Sequence, residues 1–241
     1  MQRAATSKPN INERGAPLGG KPQESDRRLF MQLRVFGGCR EPRQLVDALE
    51  ASQLEGALYH DMNDHQGVGL LTISETPDTF VTALRRFLNI SPFAELDSKS
   101  LYTMAGRTYS IGYEPDLEEA LFTRPRRSAL NPQWPWAVWY PLRRSGRFAQ
   151  LTTREQRQIL MEHGNIGRAF GEADYAHDIR LACHGLDTNA NDFVIGLTGQ
   201  ELYPLSAIVQ TMRRTKQTSQ YLDHLGPFFV GKAVWQSAGP V

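Results

Sequence analysis

The sequence predicts an α+β protein in which one strand–helix–strand–strand–helix–strand unit is written twice, and three observations carry that reading. The stretch from Val68 to the arginine pair Arg85 and Arg86 has the same plan as the stretch from Phe193 to Arg213 and Arg214: a strand-like apolar run, a polar turn with a proline, and an amphipathic helix. Further on, Met104-Ala105-Gly106-Arg107 and Phe229-Val230-Gly231-Lys232 sit at nearly the same offset, each inside a strand-like run. Upstream of each copy come a strand, 29–36 or 136–143, and a helix, 42–52 or 152–170. Self-similarity of this kind marks an internal duplication. The repeated order is the split βαβ plan of ferredoxin-like domains, so the expected molecule is two such domains with antiparallel sheets, packed as one unit.

In chain order, residues 1–27 are polar, rich in Gly, Pro, Ser and charge, and without an apolar block. They read as a disordered tail rather than a secretory signal or a membrane span. Residues 28–113 form the N-terminal ferredoxin-like domain, and 114–134 read as a linker because Pro115, Pro125 and Pro132 lie there among Arg124, Arg126 and Arg127. Residues 135–241 form the C-terminal domain. Its helix over 152–170 opens with Thr152 and Glu155 at capping-box spacing. Gly164, Gly167 and Gly171 loosen its end, each mid-helix glycine costing about 1 kcal/mol relative to alanine. Such glycines serve either close helix-to-sheet packing or the approach of a flat cofactor.

Composition limits the function. With 241 residues, 40% of them apolar, the chain can bury a core unaided, and a net charge of +1 gives no global field for nucleic acid. The arginines from Arg124 to Arg157 form a local basic stretch, but no strand carries the aromatic pattern of RNA recognition. The two cysteines, Cys39 and Cys183, make neither a C-x-x-C pair nor a disulfide framework, which fits a reducing compartment; cytoplasmic location is the default.

The chemistry concentrates in the second half. Ile159, His163, Ile166 and Phe170 follow a helical period, which puts one imidazole where core side chains belong. A histidine there is either a hydrogen-bonded core residue or a ligand, and neutral imidazole is a good axial ligand for haem iron. Tyr140 lies upstream on an aromatic strand-like segment, where it is either a packing aromatic or a redox-active phenol.

The string Trp139-Tyr140-Pro141-Leu142-Arg143-Arg144, followed by Met161-Glu162-His163-Gly164, Gly185-Leu186-Asp187 and Asp192-Phe193, resembles the chlorite dismutase and coproheme decarboxylase family. The resemblance implies haem, as coproheme or haem b, bound in the second domain of a homopentamer, with iron held by His163. It implies Tyr140 as the radical relay of the decarboxylases, at a place where chlorite dismutases usually have an aliphatic residue. Arg144 matches a basic residue that anchors a propionate, with Arg143 and Arg147 able to share the task. Tyr109, Ser110 and Tyr113 resemble a strand that contacts propionates, and Phe148 stands where chlorite dismutases have a tryptophan near haem. In relatives a glutamate bonds the proximal histidine; Thr198 takes that place here.

On the distal side three alignments compete, selecting Arg180, Asp178 or His177. Arg180 is preferred, because a guanidinium can hold an anionic oxidant or assist peroxide cleavage. His184 reads as structural. The implied activity is a haem-dependent oxidoreductase: a coproheme decarboxylase driven by hydrogen peroxide in haem biosynthesis, a chlorite dismutase, or a haem carrier or sensor without turnover.

Overall fold

The computed structural model describes residues 8–238. The chain opens on a hairpin, β1 (Glu13–Leu18) and β2 (Lys21–Ser25). The first repeat is β3 (Phe30–Gly37), α1 (Pro42–Glu50), β4 (Glu55–Asp61), β5 (Val68–Ser74), α2 (Asp78–Val81) continuing into α3 (Ala83–Ile90), a two-residue β6 (Asp97–Ser98) and β7 (Met104–Arg107). A helical connection, Glu119–Thr123 running into α4 (Arg124–Leu130), leads to the second repeat. That repeat is β8 (Trp136–Arg144), α5 (Gly146–Ala149), α6 (Thr153–Glu172), β9 (His177–Ala182), β10 (Phe193–Gly199), α7 (Leu202–Met212), α8 (Lys216–Gln220), β11 (Leu222–Leu225) and β12 (Phe229–Gln236).

The duplication extends to strand order. The first half runs β7–β3–β5–β4 and the second β12–β8–β10–β9, so corresponding strands occupy corresponding places, and every pairing is antiparallel. Each half contributes one edge to the other: β4 pairs with β12, and β7 meets β9 at Arg107 and Ala182. The eight strands therefore close into a ring, which leaves neither half with a bare inner edge.

Period-two alternation sorts the side chains. Leu29, Met31, Leu33, Val35, Ala57, Tyr59, Ile73, Ala137, Trp139, Val194 and Phe229 point inward and form one buried cluster. The Trp139 ring lies so close over β10 that a Cβ at position 196 would come within 2.6 Å of it, which explains Gly196; the Phe229 ring crosses the corresponding glycine, Gly69. The outer faces pack against helices. Leu58, Val68 and Leu70 meet Leu45 and Leu49 of α1 and Leu84 of α3, while Val138, Tyr140, Leu142 and Leu197 meet Leu205 and Ile208 of α7 and the half-buried Ile166 and Phe170 of α6.

Two segments differ from expectation. The expected tail contains the β1–β2 hairpin, held by polar contacts rather than by apolar burial, which is why composition missed it. Glu13 accepts from Arg107 at 2.8 Å and from the Ser110 amide at 2.8 Å, and the Gln23 amide donates to the carbonyls of Ala16 and Pro115 while its oxygen accepts from Leu117. Residues 1–7 lie outside the described residues. The expected linker is core: Leu117, Leu121, Phe122, Ala129 and Leu130 join the barrel's interior cluster, and Arg126 bridges Glu55 and Glu75. Pro125 comes directly after the wider π turn Glu119–Thr123, at the start of α4, while Pro115 and Pro132 lie outside the helical residues, so the prolines there do not break the helix. Among the described residues no helix is long and apolar enough to cross a membrane.

Candidate functional site

The outer face of β8, β10 and β9 is the floor of the site. Register fixes its rows: Tyr140 lies opposite Ile195, which lies opposite Arg180, and Val138, Leu197 and Asp178 make the next row. Residues two apart on a strand share a face, so Arg144, Leu142, Tyr140 and Val138 line up along β8 beside Arg180 and Asp178 on β9. His177 alternates to the opposite face, where its ring stacks on Trp134 at 3.5 Å and its Nε2 meets Asp174 at 2.7 Å, so it is not a distal candidate. His184 sits at the edge, its Nδ1 3.2 Å from Asp192.

Helix α6 roofs this floor loosely. Thr152 and Glu155 form the expected reciprocal cap, yet of its 20 residues only Ile159 is buried. A Cβ at Gly164 would meet nothing within 4 Å, and at Gly167 only Met212 at 3.7 Å, so these glycines do not serve close packing. His163 is half-buried on the inner side. Its Nδ1 lies 3.4 Å from Thr215 Oγ1; that hydroxyl donates to the Met212 carbonyl at 2.8 Å and accepts from the Thr218 amide at 3.4 Å, which leaves one lone pair for a protonated Nδ1. Nε2 has no hydrogen-bond partner among the described residues. Burial, with the positive charges of Arg144 and Arg180, pulls the imidazole below the ordinary histidine range, so it is neutral and its Nε2 lone pair is available.

The expected partner of His163 requires correction. Thr198 points into the barrel, its hydroxyl near the His177 carbonyl at 3.5 Å, because position 198 falls on the inward phase of β10. Thr215, the cap of α8, takes that role from a different element. Nothing in the sequence ties residue 215 to residue 163.

Tyr140 is buried and stacks on Phe228, centroids 4.7 Å apart. Burial, helped by the negative charge of Asp178, holds its phenol protonated far above the ordinary tyrosine range. Arg144 is sandwiched between the rings of Phe148 at 4.8 Å and Phe193 at 4.7 Å, and its buried Nε has no partner among the described residues. Burial lowers its pKa, which marks a cation short of an anion. Phe148 is thus in place beside Arg144, whereas Arg143 and Arg147 are exposed.

The stretch around Tyr109 divides. Tyr109 turns toward the floor, its ring 5.6 Å from Phe193, and burial raises its phenol pKa. Ser110 is engaged elsewhere, its hydroxyl and amide both bonded to Glu13. Tyr113 is 65% exposed, and Arg157 of α6 lies over its ring at 5.3 Å. Arg180 is not a free cation: its Nε meets Asp178 Oδ2 at 2.9 Å. Among the described residues no group of three His, Cys, Asp or Glu could hold a bare metal ion.

A family model described as chlorite dismutase matches residues 40–234. No curated protein sequence matches the chain. Among solved structures, a protein described as a novel heme-binding protein from Thermus thermophilus superimposes with a TM-score of 0.68 at 20% identity, covering 86% of this chain and 91% of that one. A putative chlorite dismutase gives 0.68 at 14% identity over 86% and 95% of the two chains. A mutant chlorite dismutase from Candidatus Nitrospira defluvii in complex with cyanide gives 0.64 at 14% identity over 87% and 92%.

Proposed function

The chain belongs to the chlorite dismutase family, and from that premise we propose that it is a haem-dependent oxidoreductase that removes carboxylate from propionates of coproheme with hydrogen peroxide. The observation that carries this is the shared face of Tyr140, Arg144 and Arg180, set opposite a neutral histidine whose Nε2 is free.

The residues fit the cofactor. His163 would hold the iron through Nε2, while Thr215 fixes the tautomer by accepting from Nδ1. Among the described residues no cluster of side chains could coordinate a bare ion, so a metal held by His163 would bring its remaining donors with it, as in a porphyrin. Arg144 has an orphaned Nε between two aromatic rings, a cradle for one propionate. Support for haem also comes from the neighbour described as heme-binding.

Bound haem iron supplies the redox centre at which the oxidant reacts. One propionate and one hydrogen peroxide become a vinyl group, carbon dioxide and two waters. Tyr140 keeps its hydrogen on Oη because burial opposes ionisation, and that O–H has no hydrogen-bond partner among the described residues. It is therefore free to give up a hydrogen atom and recover one from the propionate chain. Arg144 fixes the carboxylate, and the Arg180 guanidinium donates hydrogen bonds over the floor.

Loading the protein with coproheme and adding peroxide under nitrogen tests this: chromatography with mass detection should show successive loss of carboxylate mass, and Tyr140→Phe should retain uptake but lose conversion. A wild type that binds coproheme and leaves its mass unchanged contradicts the proposal. Chlorite dismutation is the second reading, favoured by Arg180 and opposed by its pairing with Asp178; oxygen release from chlorite at an electrode would select it. Tight haem binding without either reaction would select a carrier. A homopentamer is the assembly proposed with this reading, checked by light scattering.

A further inference from the structure

We propose that Asp178 sets oxidant specificity: its carboxylate, held against the Arg180 guanidinium, cancels the cation an anionic oxidant would need and leaves the site selective for a neutral one. This rests on the haem-binding reading above. Asp178 and Arg180 are two apart on β9 and so share the face that carries Tyr140. The bridge runs from Arg180 Nε to Asp178 Oδ2 at 2.9 Å, and the two side chains are 40% and 41% exposed, so they border the open side of the floor, where a small molecule would enter.

No other acid lies within salt-bridge distance of Arg180 among the described residues. The pair is thus a local dipole with no net charge rather than a cationic hook. Its geometry still leaves a donor. The carboxylate sits against Nε as an ion pair, and no nitrogen of Arg180 makes a hydrogen bond among the described residues. The terminal nitrogens can donate to a neutral ligand such as hydrogen peroxide, whose hydrogen bonds need no net positive field. An anion approaching the same place meets Asp178 as well, and that charge reaches both Tyr140 and His163. Near a protein surface, where an effective dielectric of about 20 applies, removing one such charge is worth roughly tenfold or more in the affinity of an anion.

The test uses the haem-loaded protein and compares azide, an anion, with imidazole, a neutral ligand, by absorption titration. Asp178→Asn should bind azide about tenfold more tightly while imidazole affinity moves less than about twofold. Adding Arg180→Gln should abolish the gain. Asp178→Ser, which cannot hold the guanidinium in the same way, should show the same preference, and an unchanged thermal midpoint confirms folding of each variant. Unchanged azide affinity in both Asp178 variants overturns the inference and leaves haem binding standing. A wild type that gives no haem absorption band overturns the functional reading and this inference with it.

Discussion

Replacing Arg144 with methionine should separate a propionate anchor from a packing residue. The guanidinium lies 4.8 Å from the Phe148 ring and 4.7 Å from the Phe193 ring, with its Nε buried and unpartnered among the described residues. A charge-assisted bond to a carboxylate contributes about 1.5–3 kcal/mol, so haem affinity should fall roughly tenfold to 150-fold. The protein without haem should respond differently. Each ring stack is worth about 0.5–1 kcal/mol, and relief of a buried unpaired donor returns about 1–3 kcal/mol, so the two terms nearly cancel. Urea unfolding of the haem-free variant should therefore stay within about 1 kcal/mol of wild type. The assay is parallel titration with haem and with its dimethyl ester, whose propionates carry no charge. Arg144→Met should weaken haem binding and leave ester binding within about twofold. Equal losses for both ligands, or a haem-free variant destabilised by several kcal/mol, would refute the anchoring argument.

Thr215→Val removes the oxygen facing His163 Nδ1 and should lower haem affinity about tenfold, with Thr215→Ser restoring it, measured by competition with apomyoglobin. Glu13→Ala breaks the contacts that fasten the hairpin and should cost about 1–3 kcal/mol in urea unfolding, with faster tryptic cleavage at Arg27 and Arg28. Burial pushes the Cys183 thiol up to about 12, and its Sγ donates to the Asn191 carbonyl at 3.1 Å, so native protein should not be alkylated there at pH 8. Because the unfolded thiol ionises near 9, stability from this group is complete below that pH and is lost as pH rises toward about 12; Cys183→Ala should flatten the loss in an alkaline unfolding series.

The duplicated architecture was readable because each repeat buries one strand face inward and the other under helices, so apolar period and turn chemistry agree over the whole unit. The capping box at Thr152 and Glu155 located α6 within two residues for the same local reason. Segments stabilised by polar side chains reaching across the chain were not readable. Glu13 and Gln23 look like any solvated residues until Ser110, Arg107 and Leu117 are placed beside them. The helical connection failed for a different reason: proline and arginine suggested a linker, although Pro125 comes directly after the wider π turn and Leu121 and Phe122 supply a core face. At the site, strand alternation puts Asp178 and Arg180 on one face and His177 on the other. The sequence did not show that the first two neutralise each other. Thr198 was misassigned because a count from Asp192 and Phe193 fixes position along β10, while only register shows that position 198 faces inward.

The account depends most on the bond between His163 and iron. Titrating wild type and His163→Ala with haem and following the absorption band tests it directly. The prediction is a saturable one-to-one band in wild type, absent or broadened in the variant and restored by added imidazole. An identical band and affinity in His163→Ala would contradict it.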